Sequence, residues 1–434
     1  DGTRDEQLYR LLLIAQCNAL NSAMPFLFER VQDETELLLP DHLLHTGSLI
    51  RTLVEKIPED DWQQVEIIGW LYQFYISEKK DQVIGKVVNS EDIPAATQLF
   101  TPKWIVQYLV QNSIGRQWLA TYPDSPLKGR MDYYIEPAEQ TEEVQQQLAE
   151  ITPDALDPER MTLLDPACGS GHILVEAYDL FKAIYRERGY RARDIPRRIL
   201  RDNLFGLEID ERAAQLASFA LIMKGRADDR RLLEGGIRLN VHCIRSGDGL
   251  DAEVVYDALV HGLDDSKDNE PVASEGSGGG EFEFMEEIRT PLLAGPKKDR
   301  AAVAEGAEEP GFTVDDIRVL LNLFEGDKAR TFGSLIRTPE GLAAKLSEMV
   351  ERADRVAHGK DLHRQPVAER FLSIAEQGDV LGQQYDAVVA NPPYMGSRLM
   401  NAGLASFAVD NYTATQGDLY AMFLERATEL AAPQ

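Results

Sequence analysis

The chain has 434 residues, 44% hydrophobic and 27% charged, enough for about two to four domains with real cores. Its 73 acidic and 45 basic residues leave a formal charge of −28, which excludes a protein that grips nucleic acid through overall basicity. Three cysteines (Cys17, Cys168 and Cys243) without CxxC spacing argue against a disulfide framework or a zinc site and fit a reducing cytoplasm.

No apolar run is long enough for a membrane-spanning helix. The first residues lack an initiating Met and any signal-peptide character, and the last stop abruptly after an amphipathic stretch. The chain is therefore expected to be a piece of a longer protein. Residues 1–95 predict a helical N-terminal region. Leu8, Leu11, Leu12, Ile14 and Ala15 recur at helical spacing, as do Ile67, Ile68, Leu71, Tyr72 and Tyr75. At Thr101-Pro102 a helix start is signalled, Thr101 suiting the N-cap and Pro102 the first turn, with Trp104, Ile105, Tyr108 and Leu109 as its apolar face. Residues 121–160 are polar and Pro-spotted and read as a long surface connection.

The pattern then changes. A short buried strand at 161–164 precedes a helix at 172–187. A short helix at 193–202 leads into a second strand at 204–207, a helix at 211–225 and a third strand at 238–244. Strand and helix in alternation imply an α/β fold, a Rossmann-like, doubly wound and mainly parallel sheet with right-handed crossovers. Residues 96–250 are expected to form the cofactor-binding half of this domain, and 251–380 an acidic loop with a helical insertion. Residues 381–434 would supply the catalytic segment, the sheet being incomplete at its C-terminal end. Residues 246–310 hold 17 acidic and 5 basic residues, a net −12, and include the linker-like Ser274–Gly280. Helical patterns resume at 313–325, with Thr313 as cap, and at 339–357. A last buried strand follows at 385–390. A final helix at 417–431 places Leu419, Met422, Phe423 and Ala427 on one face.

Two loops carry chemistry. Asp165-Pro166-Ala167-Cys168-Gly169-Ser170-Gly171 joins a strand to a helix, where glycines let a ligand approach the backbone. The loop has one G-S-G in place of G-x-G-x-x-G, and an acid leads it. An aspartate facing the ligand repels a pyrophosphate but suits a cationic amine, so S-adenosylmethionine is the expected cofactor. Glu208, at the tip of the second strand, is placed to accept hydrogen bonds from ribose hydroxyls, Asp210 being well suited as a helix cap. Asp248 follows the third strand in register for the adenine amino group.

The second loop is Asn391-Pro392-Pro393-Tyr394, after the strand at 385–390. An aromatic or amide amine is a poor nucleophile because its lone pair is delocalised. The Asn391 side-chain oxygen and the Pro392 carbonyl can draw its two N–H bonds out of plane, so that nitrogen attacks an in-line methyl group. Successive prolines stiffen that backbone, which preorganised catalysis requires. Tyr394 offers a ring on which an extruded base can stack.

Together these residues resemble the amino-methyltransferases that modify adenine N6 in DNA, over about residues 100–425. The resemblance implies that Phe100, Thr101 and Pro102 contact the methionine part of the cofactor. The 165–171 loop would wrap its sulfonium end, Glu208 its ribose and Asp248 its adenine. Asn391, Pro392, Pro393 and Tyr394 would be the catalytic residues. Gln416–Arg426 would buttress a base pocket lined by Tyr394 and Phe423. Neither a metal nor a covalent intermediate is implied. More narrowly, Gln98–Val110, Cys168–Leu174 and Gly333-Ser-Leu-Ile-Arg337 resemble the PglX group of methyltransferases from BREX phage-defence systems. The partners implied are double-stranded DNA with a flipped adenine, gripped mainly by a target-recognition domain beyond these residues, and other phage-defence proteins. The enzyme would act in the cytoplasm, at the nucleoid. Two alternatives stay open: a cofactor-sensing interaction subunit of a defence complex, and a protein glutamine N-methyltransferase.

Overall fold

The computed structural model describes residues 2–24, 27–28, 30–31, 33–62, 67–83, 86–97, 101–235, 237–262 and 310–433. Most of the expected acidic loop (263–309), and Phe100, lie outside the described residues. The chain divides into two compact units. One comprises residues 1–244, 330–335 and 384–434; the other comprises 245–329 and 336–383.

The first unit is built on a four-stranded parallel sheet of order β3-β2-β1-β4. Its strands are β1 (Leu163–Asp165), β2 (Leu204–Glu208), β3 (Asn240–Cys243) and β4 (Ala387–Val388). Leu163, Leu164 and Leu207 are fully buried, as parallel strands covered on both faces require. The crossover helix His172–Glu187 turns Ile173, Leu174, Ala177, Tyr178, Phe181 and Ile184 into the core at helical spacing. The next crossover, Glu211–Asp228, starts at an Asp210 N-cap that accepts from the Ala213 N–H at 2.9 Å.

β4 is short, so its register needs more than its own ladder. Ala387 donates to the Thr162 carbonyl at 3.0 Å and Val389 to Leu164 at 2.9 Å. The Asp386 carboxylate adds two bonds, accepting from the Thr162 N–H at 2.7 Å and the Thr162 hydroxyl at 3.1 Å. On the far side of β4, Tyr385 pairs in parallel with Ala431. The α/β expectation therefore holds, with a parallel sheet and a reversal of strand order between β1 and β4.

Several local expectations change. The 121–160 connection contains the helix Glu142–Ile151, capped by the Thr141 hydroxyl. The expected helix at 193–202 is a single α-turn, Ile195–Arg198, continued as a π-turn over Ile199–Asn203. Helix Lys103–Gln111 has Pro102, not Thr101, at its N-cap. The N-terminal region is helical over Gly2–Ala23, Leu49–Lys56 and Ile67–Val83, yet Leu8, Leu11 and Leu12 stay exposed. Among the described residues no helix is long and apolar enough to cross a membrane.

The second unit is helical. Ala252–His261, inside the expected acidic loop, is a helix capped by Asp251. Val314–Leu323 carries a capping box between Thr313 and Asp316, as the spacing predicts. Glu340–Ala357 packs against Gln365–Gly382, and the buried Gln377 side chain bonds both the N–H and the carbonyl of Arg245 at 2.8 and 2.9 Å.

Two glycines of the β1–helix junction have left-handed backbone, Gly169 at φ 52° and Gly171 at φ 86°. A Cβ on Gly171 would meet the Ala217 Cα and Cβ at 2.9 Å, whereas Gly169 has nothing within 4 Å. Gly169→Ala should therefore cost only its backbone strain, about 1–2 kcal/mol. Gly171→Ala should add an overlap of about 1–3 kcal/mol. Urea denaturation of the two variants checks this; equal midpoints would contradict the packing described.

Candidate active site

In an open α/β sheet, ligands bind at the C-terminal ends of the strands where the strand order reverses. Here that point lies between β1 and β4, and the two loops singled out in the sequence emerge there. Asp165 ends β1 and is buried, 1% exposed. One of its oxygens accepts from the Ala167 N–H at 3.1 Å, and the other has no partner among the described residues. Burial pushes this carboxyl up to about 8; the Ala167 N–H opposes the shift and the Glu208 charge adds to it.

Three further backbone donors of the loop are already committed. Cys168 donates to the Leu207 carbonyl at 2.9 Å, Gly171 to that of Cys168 at 2.8 Å, and Gly169 to a Glu208 oxygen at 2.8 Å. A phosphate arriving here would find an acid in front. A cationic group would find a carboxylate oxygen waiting. The residues therefore fit a phosphate-free, cationic cofactor. The Cys168 thiol is held well above its ordinary pKa by burial, which keeps it protonated and unreactive.

Glu208, at the tip of β2, takes the backbone N–H groups of Ile209 and Asp210 on its second oxygen, each at 2.9 Å. Burial pushes it up to about 7 against the pull of the Asp210 and Gly169 N–H groups. Asp210 is the helix cap, and the Tyr72 hydroxyl donates to it at 2.8 Å. Helix Ile67–Val83 thus reaches the site from the N-terminal region. A Cβ on its Gly69 would sit 3.1 Å from the Ser170 Oγ. Asp248 lies in the other unit and is exposed, and the Gly326 N–H, at 2.8 Å, holds its carboxyl below the usual range.

After β4, Asn391 donates through Nδ2 to the Thr101 hydroxyl at 2.9 Å, while its Oδ1 accepts from the Tyr394 hydroxyl at 3.2 Å. Pro392 is buried, and no described group donates to its carbonyl. The Tyr394 ring is half exposed and stacks on Tyr420, centroids 5.1 Å apart and planes 9° from parallel. Phe423, expected in the base pocket, packs in a core cluster with Met395, Leu404, Tyr412 and Met422. The aromatic neighbour of Tyr394 is Tyr420, one turn earlier on helix Leu419–Leu430. Its position off the apolar stripe of Leu419, Met422 and Phe423 was the available sequence signal.

The Gly333–Leu335 stretch also has a place. The Ser334 hydroxyl donates to the Pro166 carbonyl, the buried Arg426 donates through Nε to the Ser334 carbonyl at 3.2 Å, and the Tyr412 hydroxyl donates to that of Leu335 at 2.7 Å. Among the described residues no group of His, Cys, Asp and Glu is arranged to hold a metal ion.

An Eco57I restriction-modification methylase model matches residues 202–434, and a model of the MmeI DNA-methyltransferase domain matches 138–235. The adenine-specific methyltransferase BrxX of Escherichia coli O9:H4 (strain HS) is 52% identical over 429 residues, covering 99% of this chain and 33% of the relative. The adenine-specific methyltransferase PglX of Lacticaseibacillus casei (strain Zhang) is 34% identical over 445 residues, 99% of this chain and 32% of the relative. The chain thus spans about a third of the length of these curated relatives. With a methylase model matched across β2 to β4 and the Asn391–Tyr394 loop, the chain belongs to the Eco57I restriction-modification methylase family.

Proposed function

We propose that the chain is the cofactor-binding and catalytic part of a DNA adenine-N6 methyltransferase of a BREX-type phage-defence system. The reading rests on one juxtaposition: an amide oxygen and a free carbonyl at the tip of β4, beside a buried acid at the tip of β1. Its partners would be DNA bearing a flipped adenine and other defence proteins, met at the nucleoid. The names of its relatives agree with adenine as the target.

S-adenosylmethionine, when bound, supplies an electrophilic methyl group on a sulfonium. Asp165 binds the cationic end, and the turn at Gly169 and Gly171 lets it approach the backbone. Glu208 holds the ribose, with Pro166, Ala167 and Cys168 forming the wall. Asn391 Oδ1 and the Pro392 carbonyl accept the two N6–H bonds of adenine and draw the lone pair out of conjugation. Pro393 keeps that carbonyl in place. Tyr394 stacks on the base, and its hydroxyl leaves Asn391 as the amine arrives.

Asn391→Ala in the full-length protein should keep cofactor affinity within about twofold and lower methyl transfer by at least about a hundredfold. Incorporation of labelled methyl into unmodified genomic DNA measures it; retained transfer would overturn the mechanism.

Asp165 and Glu208 titrate at about 8 and about 7 without a ligand. A cationic cofactor favours their ionised forms, so its affinity should rise with pH between about 6 and 8, by up to roughly tenfold per unit for each coupled proton, and level off above. Calorimetric titration across this range tests it. Asp165→Asn should remove the upper part of the slope, and a flat profile in the unsubstituted protein would contradict the assignment.

A further inference from the structure

The N-terminal residue of a helix normally turns its hydroxyl inward to cap it, and Thr101 does not. Helix Lys103–Gln111 begins without a side-chain cap. The Thr101 hydroxyl is spent on an amide 290 positions away, accepting from Asn391 Nδ2 at 2.9 Å. Thr101 is buried, 8% exposed, so little water is available to replace that bond.

An asparagine side chain presents a donor end and an acceptor end related by a 180° flip. Only the acceptor end can draw on an adenine amine. With Nδ2 on Thr101, Oδ1 is turned toward the Tyr394 hydroxyl, which donates to it at 3.2 Å and so marks the direction from which a substrate N–H would come. Thr101 is β-branched and stiff at χ1, and Pro102 follows it with a fixed φ. Two prolines follow Asn391. The amide is therefore gripped between two rigid backbones.

Resting on the methyltransferase reading above, we infer that Thr101 is a positioning residue for Asn391: its hydroxyl anchors one end of the amide and so holds the other end toward the substrate amine. This differs from the methionine contact implied by family resemblance. The two roles separate kinetically, because an amide orienter acts on turnover and a cofactor contact acts on cofactor affinity.

The test compares Thr101→Val and Thr101→Ser in the full-length protein, using unmodified genomic DNA as methyl acceptor and titrating S-adenosylmethionine. Thr101→Val should lower kcat about 10- to 100-fold with cofactor Kd and KM unchanged within about twofold, and Thr101→Ser, which keeps the hydroxyl, should retain most of kcat. Should the Val variant fail to fold by thermal denaturation, Thr101→Ala takes its place with the same expectation. A raised cofactor Kd at unchanged kcat would assign the hydroxyl to the cofactor and overturn the inference. Unchanged kcat in the Val variant, or equal losses in Val and Ser, would also overturn it. An active Asn391→Ala enzyme would instead mark failure of the methyltransferase mechanism itself.

Discussion

The register of β4 on β1 fixes where Asn391 stands relative to Asp165, and that register rests on few bonds. Leu163 faces Ala387 and Leu164 faces Val388, two pairs in all. In a strand a slip of one residue exchanges the two faces, and here it would also carry the Asn391 loop about 3.3 Å along the sheet. The Asp386 carboxylate clasping the N–H and hydroxyl of Thr162 makes such a slip costly, since it would strand a charge among lost partners. The Thr101–Asn391 bond then locks the side chain on a backbone already placed.

The acids of the site follow a different logic from the core around them. A buried carboxylate with one unpartnered oxygen is unfavourable in the absence of a ligand, which is why Asp165 holds its proton up to about 8. The same burial strengthens its attraction for a cation by lowering the local dielectric. The committed N–H groups of Cys168, Gly169 and Gly171 hold the turn together behind it.

Much of this was legible because it is local. A strand, an acid, a G-S-G turn and an amphipathic helix lie within 25 consecutive residues (163–187), and Asp210 declares its cap within the next turn. What could not be read was non-local or masked by composition. Thr101 beside a proline satisfies every local rule for an N-cap, and only a partner 290 residues away explains why its hydroxyl is elsewhere. Helix Gln365–Gly382 escaped notice, its apolar face being interrupted by Gly378. A Cβ there would meet the Leu320 Cδ1 at 2.7 Å, so the glycine lets that side chain lie close against the helix. Phe423 and Tyr420 are both aromatic on one helix, and which of them meets Tyr394 depends on how the helix is rotated against the sheet.

Ser334 reaches back across 168 residues to the Pro166 carbonyl, and its own carbonyl is held in turn by Arg426. On a ribosome the glycine loop emerges long before the groups that brace it. Contacts of such sequence separation form late, since the loop they close is long. The nascent chain thus passes through a period in which Asp165 and its turn exist but their clasp does not. The brace of the glycine turn is completed only once residues 334 and 426 have both emerged.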